Sequence, residues 1–136
     1  MKKLLVFLLV LTISTGVYAY DNKAVVVEKL VQSTKSWNGN LMPKFPEGQP
    51  EVTILKITIQ PGVKLPMHQH PVINAGVLLE GELTVVTKSG QKLEMKSGDP
   101  IIEVVDTWHY GFVSGEKPAV IFVVYVGKEG SQLTIK

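Results

Sequence analysis

Three histidines are the residues of this sequence best suited to chemistry: His68, His70 and His109 are the only ones it has. His68 and His70 stand two residues apart. A β-strand points alternate side chains to one face, so His-x-His on a strand aims both imidazoles into one space. Imidazole is the commonest side-chain metal ligand near neutral pH. A lone histidine on an apolar strand is by default a structural residue with a satisfied hydrogen bond. A pair sharing one face, completed by a third from elsewhere in the chain, reads instead as imidazoles converging on a divalent ion.

The rest of the composition narrows that chemistry. Cysteine is absent, which removes thiolate ligands, a cysteine nucleophile and disulfides. Arginine is absent as well, so no bidentate fork for phosphate or carboxylate exists and no basic patch for nucleic acid is expected. Carboxylates offer no obvious general base, and catalytic residues stay unassigned. Glu80 and Glu82 belong to a turn and are expected at the surface. Glu103 sits between Ile102 and Val104 in an apolar stretch, where a carboxylate is costly unless paired, and is expected on an outward face. Met67, Trp108 and Tyr110 flank the histidines and, with Lys56, are candidates to line a substrate pocket.

The elements that must hold the histidines follow from patterning. Residues 1–19 read as a signal peptide: Lys2 and Lys3, then the apolar run Leu4 to Ile13, then Val17-Tyr18-Ala19 suited to cleavage after Ala19. Export to the periplasm or the exterior is the expectation, with no membrane attachment after cleavage. The mature chain would keep 136 − 19 = 117 residues, with 14 − 2 = 12 lysines against 12 acids. That length suits one domain. Residues 20–50 comprise a peripheral strand around Val25 to Val31, where a homodimer could form, and the Pro/Gly-rich connection Trp37 to Pro50 packing on the domain.

Residues 51–136 form the domain itself. Val52–Ile59, Ala75–Leu79, Leu83–Thr87, Gln91–Met95, Ile101–Val105, Tyr110–Val113 and Ala119–Val126 are predicted strands, and the His68/His70 stretch is a further one bracketed by Pro66 and Pro71. Short strands at close spacing with turn residues between them indicate an all-β barrel or sandwich.

The spacing Gly62-x5-His68-x-His70-x3-Asn74-x6-Gly81 resembles the first motif of the cupin superfamily. Gly98, followed after ten intervening residues by His109, is similar to the second. The family usually has proline where Val104 stands, glycine where Asp106 stands and asparagine where Val113 stands. The resemblance, to small exported single-domain cupins of the conserved-barrel type, implies a double-stranded β-barrel (jelly roll). It also implies a divalent metal (Fe, Mn, Ni, Cu or Zn) on His68, His70 and His109. Metal-binding cupins commonly carry a glutamate where this chain has Asn74, so Asn74 is either a neutral fourth ligand or a residue orienting one. Three-histidine cupins acting as dioxygenases on small chelating anions make one expectation; a non-catalytic protein binding metal or a small molecule is the alternative.

Overall fold

A computed structural model describes residues 25–136, so the segment read as a signal peptide lies outside the described residues. Seven strands follow one another: β1 (Pro50–Ile59), β2 (Ile73–Glu80), β3 (Glu82–Thr87), β4 (Lys92–Lys96), β5 (Pro100–Ile102), β6 (His109–Phe112) and β7 (Ala119–Lys128). Among the described residues there is no helix, and hence none long and apolar enough to cross a membrane. The strands form two antiparallel sheets, one in the order β1-β7-β2-β5 and one in the order β4-β3-β6.

The sheets face each other across a core of Ile59, Val72, Leu78, Leu83, Val85, Met95, Ile101, Val113, Ile121, Val123 and Tyr125. Period-2 alternation sets which side chains reach it. In β1, Ile57 and Ile59 turn inward while Val52, Ile54, Lys56 and Thr58 are exposed. In β7, Ile121, Val123 and Tyr125 are buried and Phe122 is exposed. Gly76 on β2 permits a close approach to β7: a Cβ there would stand 2.3 Å from the Phe122 carbonyl oxygen.

Three stretches differ from the sequence-based expectation. Val25 to Val31 adopts no regular structure, and all seven residues are exposed. Residues 64–69 form isolated bridges, not a continuous strand: Lys64 pairs with Phe112, His68 with His109 and Gln69 with Ile135. Pro66 lacks the N–H that an unbroken ladder would use. β5 ends at Ile102, short of the expected Val105, because the chain turns there toward Asp106, the one described non-glycine residue at positive φ (49°). The left-handed conformation that favours glycine is therefore kept where the resemblance leads one to expect glycine.

Candidate metal centre

The first histidine meets the third through the backbone. His68 N–H donates to the His109 carbonyl at 2.9 Å, and His109 N–H donates back to the His68 carbonyl at 2.8 Å. Residues that exchange both bonds in an antiparallel pair lie directly opposite, with side chains on the same face. His70, two residues on, joins them. The ring centroids of the three lie 4.4 to 5.1 Å apart, and one nitrogen from each falls within 4.8 Å of the others.

Each imidazole is held the same way. His68 Nδ1 lies 2.7 Å from the Pro66 carbonyl, His70 Nδ1 2.7 Å from the Leu133 carbonyl, and His109 Nδ1 2.8 Å from the Thr107 carbonyl. A carbonyl oxygen only accepts, so every Nδ1 carries the hydrogen and every Nε2 presents a lone pair. Such outer contacts fix the tautomer and ring orientation of metal-binding histidines. Burial pushes His109 down to about 4, against the opposing pull of the Thr107 carbonyl, and lowers His70 likewise. Both are neutral, ligand-ready bases at physiological pH.

Glu103 overturns the expectation of an outward carboxylate. The residue is 8% exposed and lines the same cavity as the histidines. Alternation carries it there: Glu103 shares the parity of Ile101, which is also buried and lines the cavity. Its Oε1 accepts from the Trp37 indole N–H at 2.8 Å and from the Val104 backbone N–H at 2.8 Å. Its Oε2 stands 3.8 Å from His109 Nε2. That separation is not an ion pair at neutral pH, since burial keeps the imidazole uncharged. Burial also pushes the Glu103 carboxyl up, partly offset by the two N–H donors.

The cavity is about 150 Å³ and otherwise largely apolar, with Ile57, Leu65, Val85, Ile101, Ile121 and Val123 in its walls. Asn74 lines it, 2% exposed, its side-chain amide donating to the Val72 carbonyl at 3.2 Å. Tyr125, opposite Asn74 in the β2–β7 pairing, lines it too and stacks edge-on against His70 at 5.4 Å. Burial, with Glu103 adding to it, drives the Tyr125 phenol up to about 12. Sequence reading missed Tyr125; the available signal was its parity with Ile121 and Val123 on β7.

Lys56, Met67, Trp108 and Tyr110 do not line this cavity. Lys56 is on the outer face of β1. Met67, Trp108 and Tyr110 are each next in sequence to a histidine that faces inward, and adjacent residues on extended chain face opposite ways. Tyr110 instead carries the Lys64 ammonium 4.0 Å above its ring on the outer surface.

Three Nε2 atoms held together form a donor set suited to a divalent transition metal. The family described as cupin domain matches residues 55–125, just over half of the chain and inclusive of all three histidines. The chain belongs to the cupin family. Among solved structures, this cupin is similar to an uncharacterized conserved protein with a double-stranded beta-helix domain from Klebsiella pneumoniae. The TM-score is 0.52 at 21% identity, over 68% of this chain and 83% of that one. It is also similar to the DMSP lyase DddQ from Ruegeria pomeroyi, with TM-score 0.54, 18% identity, 62% of this chain and 42% of that one. An oxalate oxidase in complex with the substrate analogue glycolate gives TM-score 0.51, 20% identity, 62% and 45%. The cupin thus spans less than half the length of the lyase and oxidase chains, and at these identities the likeness is one of fold. No curated protein matches it.

Proposed function

We propose that this protein is an exported cupin that binds one divalent transition metal through His68, His70 and His109. The bound ion serves a dioxygenase-like reaction on a small chelating anion. One observation carries the reading: all three Nδ1–H groups are tied to backbone carbonyls, so three Nε2 lone pairs are aimed together before any ion arrives. A bound divalent ion would supply Lewis acidity and coordination positions for a chelating guest.

The chain's own residues define what that guest can be. A cavity of about 150 Å³ is below the ~300–1,000 Å³ of drug-sized ligand pockets, so the substrate is compact. Its walls hold no lysine, so an anionic group finds its countercharge at the metal alone. The apolar side chains from β1, β3, β5 and β7 exclude water around the guest's body. Tyr125, with its phenol raised to about 12, keeps its proton and can donate a hydrogen bond to an oxygen of the guest. The leader-like composition of residues 1–19 supports export.

The test is oxygen uptake by the mature protein loaded separately with Fe(II), Mn(II), Ni(II) and Cu(II), offered compact diketones, enols and 2-hydroxy acids. Metal-dependent oxygen consumption with at least one of them is the expected result. Chelator binding without turnover across the whole panel would leave the non-catalytic binding protein as the correct description.

A further inference from the structure

The position where metal-binding cupins commonly place a glutamate is Asn74 here, yet a carboxylate has entered the same cavity from a different strand end. We propose that Glu103 supplies the charged oxygen ligand of this centre, substituting for the carboxylate that residue 74 lacks. The inference rests on the three-histidine metal reading and adds a residue to it.

Glu103 is built for that position. Ser36 and Trp37 grip it from the N-terminal connection. The Ser36 hydroxyl donates to the Glu103 carbonyl at 2.9 Å, and the Trp37 amide donates to the Ile102 carbonyl at 2.9 Å. The Trp37 indole and the Val104 amide together occupy Oε1. Asn74 completes the clamp through its main chain, its carbonyl accepting the Glu103 N–H at 3.0 Å. The side chain is therefore fixed through one oxygen, and the other is left toward the histidines. Among the described residues no hydrogen bond reaches Oε2.

What Oε2 faces is a second lone pair. His109 Nε2 stands 3.8 Å away, and its hydrogen is on the other nitrogen. Oε2 and Nε2 are two lone-pair atoms aimed at one small space, the arrangement in which both would hold a shared cation. Two donors held ~2.0–2.2 Å from one metal ion are about 3.0 to 3.6 Å apart, so a contraction of a few tenths of an ångström brings this pair to bonding distance. Charge argues the same way. A buried carboxylate without a cation is costly, and the cavity lining contains no lysine. A divalent ion beside Glu103 leaves a net charge of one unit, matched to a singly charged guest.

The experiment is Co(II) titration of the mature protein and its Glu103→Gln variant, followed by the visible d–d absorption and by chelator competition. Glutamine keeps an acceptor for the Trp37 and Val104 donors, so the fold is retained, as circular dichroism checks. The prediction is a loss of at least tenfold in Co(II) affinity with a changed d–d spectrum. The Asn74→Glu/Glu103→Gln double variant, which returns the carboxylate to the position usual in metal-binding cupins, should recover most of the affinity. Equal affinity and an identical spectrum in Glu103→Gln would overturn the role of Glu103 while leaving the histidine site standing. Absence of Co(II) binding in the wild-type protein would overturn both. Should the single variant unfold, the double variant carries the test: weak binding despite a native fold would count against the inference.

Discussion

Trp37 donates its indole N–H to Glu103 Oε1 at 2.8 Å, joining the N-terminal connection to the carboxylate of the site. The connection packs on the barrel, and through this bond it also orients a side chain that would otherwise be free to rotate in an apolar cavity. Trp37→Phe keeps the aromatic body and removes the donor. The expected outcome is a loss of about 1–3 kcal/mol in unfolding free energy, the range for depriving a buried group of its partner. Urea unfolding of the metal-free protein measures it, and an unchanged midpoint would show that the bond is dispensable.

The C-terminal tail is expected to matter for metal binding beyond the packing that Leu133 adds to the core. The Leu133 carbonyl holds His70 Nδ1 at 2.7 Å, and Gln69 and Ile135 exchange two backbone hydrogen bonds. Ending the chain at Gln132 removes both while leaving every strand from β1 to β7 intact. The prediction is a 10- to 100-fold loss of metal affinity, the range seen when outer-shell partners of metal histidines are removed. Isothermal titration on the truncated and full chains reads it directly.

Stability of the metal-free Glu103→Gln protein should fall as pH is lowered from about 7 to 4. His109 in the fold titrates at about 4 instead of 6.5, and burial lowers His70 as well, so the unfolded chain binds more protons across that window. A histidine with a depressed folded pKa contributes least at low pH and regains its share as pH rises through 6.5. Glu103, with its raised folded pKa, works in the opposite sense above 4.5, so the Glu103→Gln background isolates the two histidines. His109 alone accounts for about 3 kcal/mol at ~1.36 kcal/mol per pH unit. Urea midpoints at pH 7, 5.5 and 4, with chelator present, test it; a flat or inverted trend would contradict the burial of neutral imidazoles.

Gly76→Ala should be severely destabilising, because the new Cβ would fall 2.3 Å from a backbone oxygen of β7 that no rotamer can move. The cost is expected at or above the upper end of the ~1–3 kcal/mol typical of overpacking, because the clashing atom is backbone. A thermal melt settles it: a native-like midpoint would mean that β2 and β7 are not so tightly joined.

Much of this was legible from residue order. The strands follow from alternation and turn residues, and the three histidines from their spacing. The same alternation, applied one step further, would have excluded Met67, Trp108 and Tyr110 from the cavity, since each is next to an inward histidine. Glu103 shares the parity of the inward Ile101, so its direction was readable by that rule despite its charge; its partner, a tryptophan donor 66 residues away in sequence, was not. Such long-range pairing leaves no local signature. Tyr125 is a case of the same kind: its parity was readable, but its partner His70 was not.

That His68, His70 and His109 hold a metal ion is tested most directly by metal stoichiometry. The mature protein, purified without a tag and incubated with Fe(II), Mn(II), Ni(II), Cu(II) and Zn(II) in turn, is desalted and analysed by elemental mass spectrometry. His68→Ala and His109→Ala are carried alongside. The expected result is about one ion per chain for at least one metal in the wild type, and little or none in either variant. Equal metal content in wild type and variants would contradict it.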